Sequence, residues 1–165
     1  MDPKVQMAID DMKLVKDKPR EEYKRFLTNA LCRLTDSTIS YFATVNASQN
    51  ELTMIGWSMS AMMNCTMIDK PLVYKMVDTG LWGDAVRERK PVFTNDYFNL
   101  VKATKKGYPK GHVNVRRHLN LPISEDGKVA FVVGVGNKKE AYNDEDACNI
   151  EILMKNILAD LKTKI

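Results

Sequence analysis

Three cysteines, two histidines and ten methionines are the side chains of this chain best suited to attack, ligate or carry electrons. Cys32, Cys65 and Cys148 stand far apart, with no CxxC pair and no repeated Cys/His interval, so the spacing argues against a zinc site. Cys32 falls beside Leu31 and Leu34 on a predicted helix and Cys148 opens another, positions where a thiol packs as a small apolar group. Cys65 lies in the aperiodic run Met63-Asn64-Cys65-Thr66 and is the best candidate nucleophile, a role that needs a low-pKa thiol and a resolving partner. Met54, Met59, Met62, Met63 and Met67 are spaced irregularly, which fits adaptable packing better than a soft-metal site. No nucleophile elbow, phosphate loop, CxxCH motif, phosphoacceptor-histidine motif or ATP-binding region is present, so the chain is expected not to be a kinase or an enzyme by itself. Gly134-Val135-Gly136 is a GxG inside a strand, where close backbone packing is sufficient explanation.

The next chemical feature is charge. The net charge of +4 is too small to argue for nucleic acid, but it is concentrated. Between Asp96 and Glu125 there is no acid, while Lys102, Lys105, Lys106, Lys110, Arg116 and Arg117 all fall there. Tyr97, Tyr108, His112 and His118 share this region and Asn95 borders it, while Gly107, Pro109 and Gly111 shape its backbone. The stretch from Tyr97 to Arg117 is long for a simple connection, and reads as a lid over a small, anionic ligand. Strand alternation lets only one of Arg116 and Arg117 face such a site.

The elements that must position these residues follow from periodicity. Residues 4–16 form a helix with Val5, Ala8, Met12 and Val15 on one seam. A second helix, capped by Asp17, carries Tyr23, Phe26, Leu27, Ala30, Leu31 and Leu34. Strands are predicted over 39–45 and 51–58, a short helix over 72–77, and a helix over 80–89 capped by Thr79. Further strands follow at 92–94, 118–123 and 129–136, the last two joined by an Asp126-Gly127 turn. Asn143 caps a final helix from Asp144 to about Lys164, with Asp146 completing most of a capping box. Hairpins outnumber crossovers, which predicts an α/β (α+β) fold with helices packed on an antiparallel sheet.

Residues 80–97, Gly-Leu-Trp-Gly-Asp-Ala-Val-Arg-Glu-Arg-Lys-Pro-Val-Phe-Thr-Asn-Asp-Tyr, closely resemble the central stretch of GAF domains in prokaryotic sensor histidine kinases and related receptors. Lys106–His112, Arg117–Ile123 and Val133–Lys138 with Tyr142–Asp146 agree in order, so the resemblance covers roughly residues 19–160. It implies a GAF-like central antiparallel sheet, N- and C-terminal helices on one face, and a loop-covered ligand pocket on the other. Residues 1–18 then read as an N-terminal helix or linker and 19–165 as the sensory domain. Asn137-Lys138 is similar to part of the Asn-Lys…Phe…Asp-Glu pattern of cyclic-nucleotide GAF domains, with Tyr142 in place of Phe and a compressed spacing. A salt bridge from Lys138 to an acid near 144–146 is the role expected here.

The resemblance implies signal input for a two-component sensor kinase or related receptor, with Cys65, Trp82, Asn95, Tyr97, Tyr108, His112, Arg116, Arg117 and His118 as ligand-binding candidates. Two alternatives come with the family. In a haem-binding redox or gas sensor, His112 or His118 would be the axial ligand and Cys65 the anchor. In a free methionine sulfoxide reductase, Cys65 would be the nucleophile. Partners are expected to be a small molecule, a second copy through the terminal helices, and an output domain or kinase. No nucleic acid is expected. With no apolar run of about 18 residues and no secretory leader, a reducing cytoplasm is the expected location. Trp82 is expected to be structural first.

Overall fold

The computed structural model describes residues 1–64, 72–108 and 110–165, apart from the side chains of Met62 and Asn64. Cys65, Met67 and Pro109 lie outside the described residues. The helices are α1 (Pro3–Leu14), α2 (Arg20–Leu34), α3 (Met59–Asn64), α4 (Asp84–Glu88) and α5 (Asp144–Lys162). The strands are β1 (Ile39–Val45), β2 (Glu51–Trp57), β3 (Val73–Lys75), β4 (Val92–Thr94), β5 (His118–Glu125) and β6 (Lys128–Gly136). They form one six-stranded sheet in the order β3-β2-β1-β6-β5-β4, every pair antiparallel.

Strand alternation divides the apolar residues between two cores. Phe42, Leu119, Leu121, Ile123, Phe131, Val133 and Val135 point to one face and meet α1, α2 and α5. The seams Val5-Ala8-Met12-Val15 and Ile150-Met154-Ile157-Leu161 are buried there, so both are engaged within the chain. Each fully buried aliphatic side chain contributes about 1.5–3 kcal/mol, which makes α1 an integral layer of this core. Ala43, Leu52, Met54, Val92, Val129 and Val132 point to the other face, where Met76, Ala85 and Val86 cover them.

Two irregularities set up that second face. Phe42 pairs with Gly56 but Ala43 pairs with Met54, leaving Ile55 as the extra residue of a bulge. Met54 and Trp57, three residues apart, thereby reach the same side of the sheet. The β5–β6 turn is the predicted Asp-Gly hairpin, with Asp126 (φ 48°) and Gly127 (φ 75°) both left-handed.

Three local expectations are corrected. Asp17 does not cap α2: Pro19 occupies the N-cap position with no side-chain hydrogen bond, and Arg20 begins the helix. Residues 73–75 form strand β3 rather than a helix, because pairing with Glu51–Thr53 supplies backbone partners that a three-residue segment cannot make alone. Thr79 is the N-cap of no helix and instead closes the first of two 3-10 turns, Met76–Asp78 and Leu81–Gly83, which precede α4; Arg89 ends α4 in the left-handed conformation (φ 55°). By contrast the α5 capping box is complete, with Asn143 and Asp146 exchanging side-chain and backbone bonds at 3.0 and 3.1 Å. No described helix is long and apolar enough to cross a membrane.

Candidate ligand-binding site

Between the second face of the sheet and the segment 96–117 lies a cavity of about 540 Å3. Tyr41, Met54, Trp57, His118, Asn120, Gly134 and Gly136 form its floor, Leu81 and Trp82 one wall, and Tyr97, Tyr108, His112, Val113 and Val115 the opposite wall. That volume and apolar, aromatic lining suit a small organic molecule.

The floor is ordered by contacts to Trp82 and Asn120. Trp82 meets Tyr41 edge-on (6.0 Å between centroids, 86°) and Tyr74 likewise (5.0 Å, 89°). The Tyr41 hydroxyl donates to Asn120 Oδ1 at 2.6 Å, and Asn120 Nδ2 lies 2.9 Å from His118 Nδ1. Asn120 and His118 are two apart on β5 and so share a face. Burial lowers the His118 pKa to about 4, against a slight upward pull from Asp84, and leaves the ring neutral at physiological pH. Burial likewise raises the Tyr41 and Tyr108 hydroxyl pKa values, so both phenols stay protonated.

The opposite wall is a stack of rings. Tyr97 and Tyr108 lie 4.8 Å apart at 29°, and Tyr108 and His112 4.5 Å apart at 15°. His112 Nδ1 is 2.7 Å from the Val113 carbonyl, which can only accept, so Nδ1 carries the proton. Lys105 Nζ sits 4.5 Å from the centre of the Tyr97 ring, capping the outside of the stack.

What holds this segment down is a polar knot around Asp84. That carboxylate, almost fully buried, accepts from Arg87 (2.6 and 2.9 Å), Lys102 (2.7 Å) and Thr104 (2.7 Å). Burial alone would raise its pKa, but the hydrogen bonds from Lys102, Thr104 and Arg87 outweigh that and lower it. Lys102 also bridges to Glu88 at 2.7 Å. Arg87 in turn donates to the Met76 and Gly80 carbonyls and to Thr79 Oγ1. The Gly-Leu-Trp-Gly-Asp block is thus a fastening, and Gly83 is required because a Cβ there would stand 1.8 Å from Thr79 Oγ1.

Of the sequence-predicted residues, Trp82, Tyr97, Tyr108, His112 and His118 converge on the cavity. Asn95 does not: it clamps Tyr142, accepting from its N–H at 2.8 Å and donating to its carbonyl at 3.1 Å. Neither arginine faces inward, although one was expected to. Arg116 is exposed while its backbone bonds Asn137 and Tyr97, and Arg117 donates to the Lys139 carbonyl. Lys106 alone of the six basic residues lines the cavity, and its Nζ donates to the Val77 carbonyl at 2.7 Å. The positive charge of the segment therefore does not converge on the site. Cys32 is partly buried, with its thiol pKa raised by that burial, and Cys148 is exposed on α5. Lys138 grips both Asp146 oxygens at 2.7 and 2.8 Å, as expected.

Sequence reasoning missed Tyr41, Trp57, Tyr74 and Asn120. Period-two alternation signals Tyr41 and Asn120, whereas Trp57 is hidden by the bulge and Tyr74 by the brevity of β3.

Comparison with known proteins supplies a context for this architecture. The GAF domain family model matches residues 18–158. A methyl sulfide methyltransferase-associated sensor of Methanosarcina acetivorans is 43% identical over 152 residues, which cover 92% of this chain and 14% of that protein. The chain thus spans only a small part of that relative's length. Among solved structures, the GAF domain from a phosphoenolpyruvate-protein phosphotransferase of Coxiella burnetii matches with a TM-score of 0.74 at 13% identity, over 96% of this chain and 93% of that one. The free methionine-R-sulfoxide reductase from Neisseria meningitidis, solved with its substrate, matches with 0.67 at 13% identity, over 97% and 89%. At these identities the structural likeness establishes the fold.

Proposed function

The chain belongs to the GAF domain family, and from that membership we propose that it is a sensory input module that binds a small molecule and relays its occupancy to an output domain or partner kinase. The observation that carries this reading is the aromatic cavity of about 540 Å3, walled by a segment that is fastened at Asp84. Similarity to a protein named as a sensor supports the same role. The ligand is mostly apolar rather than strongly anionic, since Lys102, Lys105, Lys106 and Arg117 are bonded within the chain and the exposed Lys110 and Arg116 do not line the cavity. A shift of the residues 96–117 wall on binding is the event relayed. Residues 1–18 and α5 carry it outward, and a homodimer in the cytoplasm uses the outer side of the terminal helices.

Both tryptophans of the chain, Trp57 and Trp82, line this cavity, so indole emission reports on it selectively. Screening a metabolite collection by tryptophan emission and thermal shift is expected to find a ligand that changes both. Emission that never responds, across uncharged and charged metabolites alike, would remove the cavity as the site. Thiol-dependent turnover of free methionine sulfoxide would instead make the protein an enzyme, and a Soret band on loading would make it a haem sensor.

A further inference from the structure

We propose that His118 reads the ligand as a neutral hydrogen-bond donor, so that the cavity takes an uncharged, planar ring molecule presenting a carbonyl or ring-nitrogen acceptor; this rests on the cavity being the ligand site. Donor and acceptor order along one chain of bonds carries the argument. The Tyr41 phenol gives its one proton to Asn120 Oδ1 at 2.6 Å, which turns the amide nitrogen toward His118. An N–H aimed at Nδ1 from 2.9 Å requires a lone pair there, and the ring proton accordingly sits on Nε2. His118 is 7% exposed, lines the cavity, and has no partner for Nε2 among the described residues. Among the described residues the only fully buried polar side-chain atom without a partner is the Tyr23 hydroxyl. His118 Nε2–H therefore retains access to the cavity it lines, where a ligand acceptor can take it up.

The facing wall supplies the complement. The rings of Tyr97, Tyr108 and His112 are stacked on one another with Lys105 over Tyr97, which leaves the outer face of His112 and the ring edges for a planar molecule. With Nδ1–H engaged by the Val113 carbonyl, the neutral form of His112 offers an Nε2 lone pair to a ligand N–H. Charge is scarce inside: Lys106 is bonded to Val77, and Asp78 is exposed at the rim. A ligand with a full charge would meet no partner for it on the floor. A lactam or amide edge, donor beside acceptor on a flat ring, satisfies both histidines.

The test uses the full chain and three probes of similar size: 2-pyridone, benzoate and benzylamine. Tryptophan emission is expected to report binding of 2-pyridone at least about tenfold tighter than either charged probe. Nitrogen-15 spectra of the histidines should show His118 as the Nε2–H tautomer at neutral pH. Tyr41→Phe, which deletes only a hydroxyl, should weaken 2-pyridone about tenfold and mix the His118 tautomers; a merely structural tyrosine would leave the tautomer untouched. An Nδ1–H tautomer, an imidazolium, or tighter binding of benzylamine or benzoate overturns the proposal while leaving the cavity as a ligand site. So does silence from all three probes when other metabolites do shift the emission. Silence from every compound removes the sensory site and the proposal together.

Discussion

Tyr41 lies across Gly134 so closely that a Cβ on the glycine would stand 1.8 Å from Tyr41 Cε1. The missing side chain lets the phenol reach over the sheet, where it meets Trp82 edge-on and bonds Asn120. Gly134 is therefore a positioning residue for the cavity floor. Gly134→Ala is expected to push the ring aside, lower stability by about 1–3 kcal/mol and shift the tryptophan emission. Chemical denaturation with an emission readout checks both, and an unchanged spectrum would show that Tyr41 does not need the bare backbone.

The Asp84 knot predicts a loosened lid. Asp84→Ala strands Arg87, and it frees Thr104 and Lys102 from the turn they anchor. Losing one partner of a buried network typically costs about 3–5 kcal/mol; here Arg87 and Lys102 keep access to water, so about 2 kcal/mol is expected. Hydrogen exchange over residues 96–117 should accelerate more than exchange in α5. Uniform acceleration would instead mean that Asp84 stabilises the fold without governing the lid.

The folding pattern was legible wherever one period persisted. Leu119, Leu121 and Ile123 alternate cleanly, Ile150 through Leu161 keep a helical face, and Asn143 with Asp146 gives a cap that needs no tertiary help. The cavity was legible in part, because His118 and the Tyr97–His112 run stood out by residue type. What failed was decided by partners distant in sequence. Val73-Tyr74-Lys75 is a strand only because β2 lies beside it, and Thr79 serves Arg87 rather than a helix start. Arg116 and Arg117 were misplaced because alternation assumes a strand, while Arg116 is held outside it by Asn137. Asn95, a ligand-binding candidate by sequence, instead bonds Tyr142, 47 residues away.

The proposed homodimer cannot use the inner seams of the terminal helices, since Val5, Met12, Ile150 and Ile157 are buried within the chain. On α1, Met7 and Leu14 are 67% and 82% exposed and lie two turns apart on one stripe. Leu14→Glu is expected to convert a dimer to a monomer without changing thermal stability. Light scattering at micromolar concentration decides it, and a wild-type monomer rules the interface out.

Trp82 touches both roles it could have. Only part of it is buried, against Tyr41 and Tyr74, and the rest faces the cavity. Full burial of such a ring would make truncation cost about 3–5 kcal/mol, so Trp82→Ala is expected to cost about 2. The same substitution should abolish the response to any compound that shifts wild-type emission. Retained affinity, followed through Trp57, would assign Trp82 to packing alone.

His118 predicts a specific acid weakness. Its pKa falls to about 4 in the fold, chiefly through burial, whereas an exposed imidazole titrates near 6.5. Between those values the unfolded chain binds a proton that the folded chain refuses, so stability rises with pH from about 4 to about 6.5 and is level above. The lowered pKa corresponds to about 3 kcal/mol lost across that window as pH falls. Asp84, whose pKa is also depressed, adds acid sensitivity of the same sign at lower pH, so the wild type alone cannot isolate the histidine. His118→Gln removes the titration while keeping a polar group on the floor. Urea unfolding of both proteins from pH 4 to pH 7 should show the wild-type curve falling away from the variant's as the imidazole is forced to charge. Parallel curves would mean that His118 reaches water in the fold, and its role as a neutral donor would fail with them.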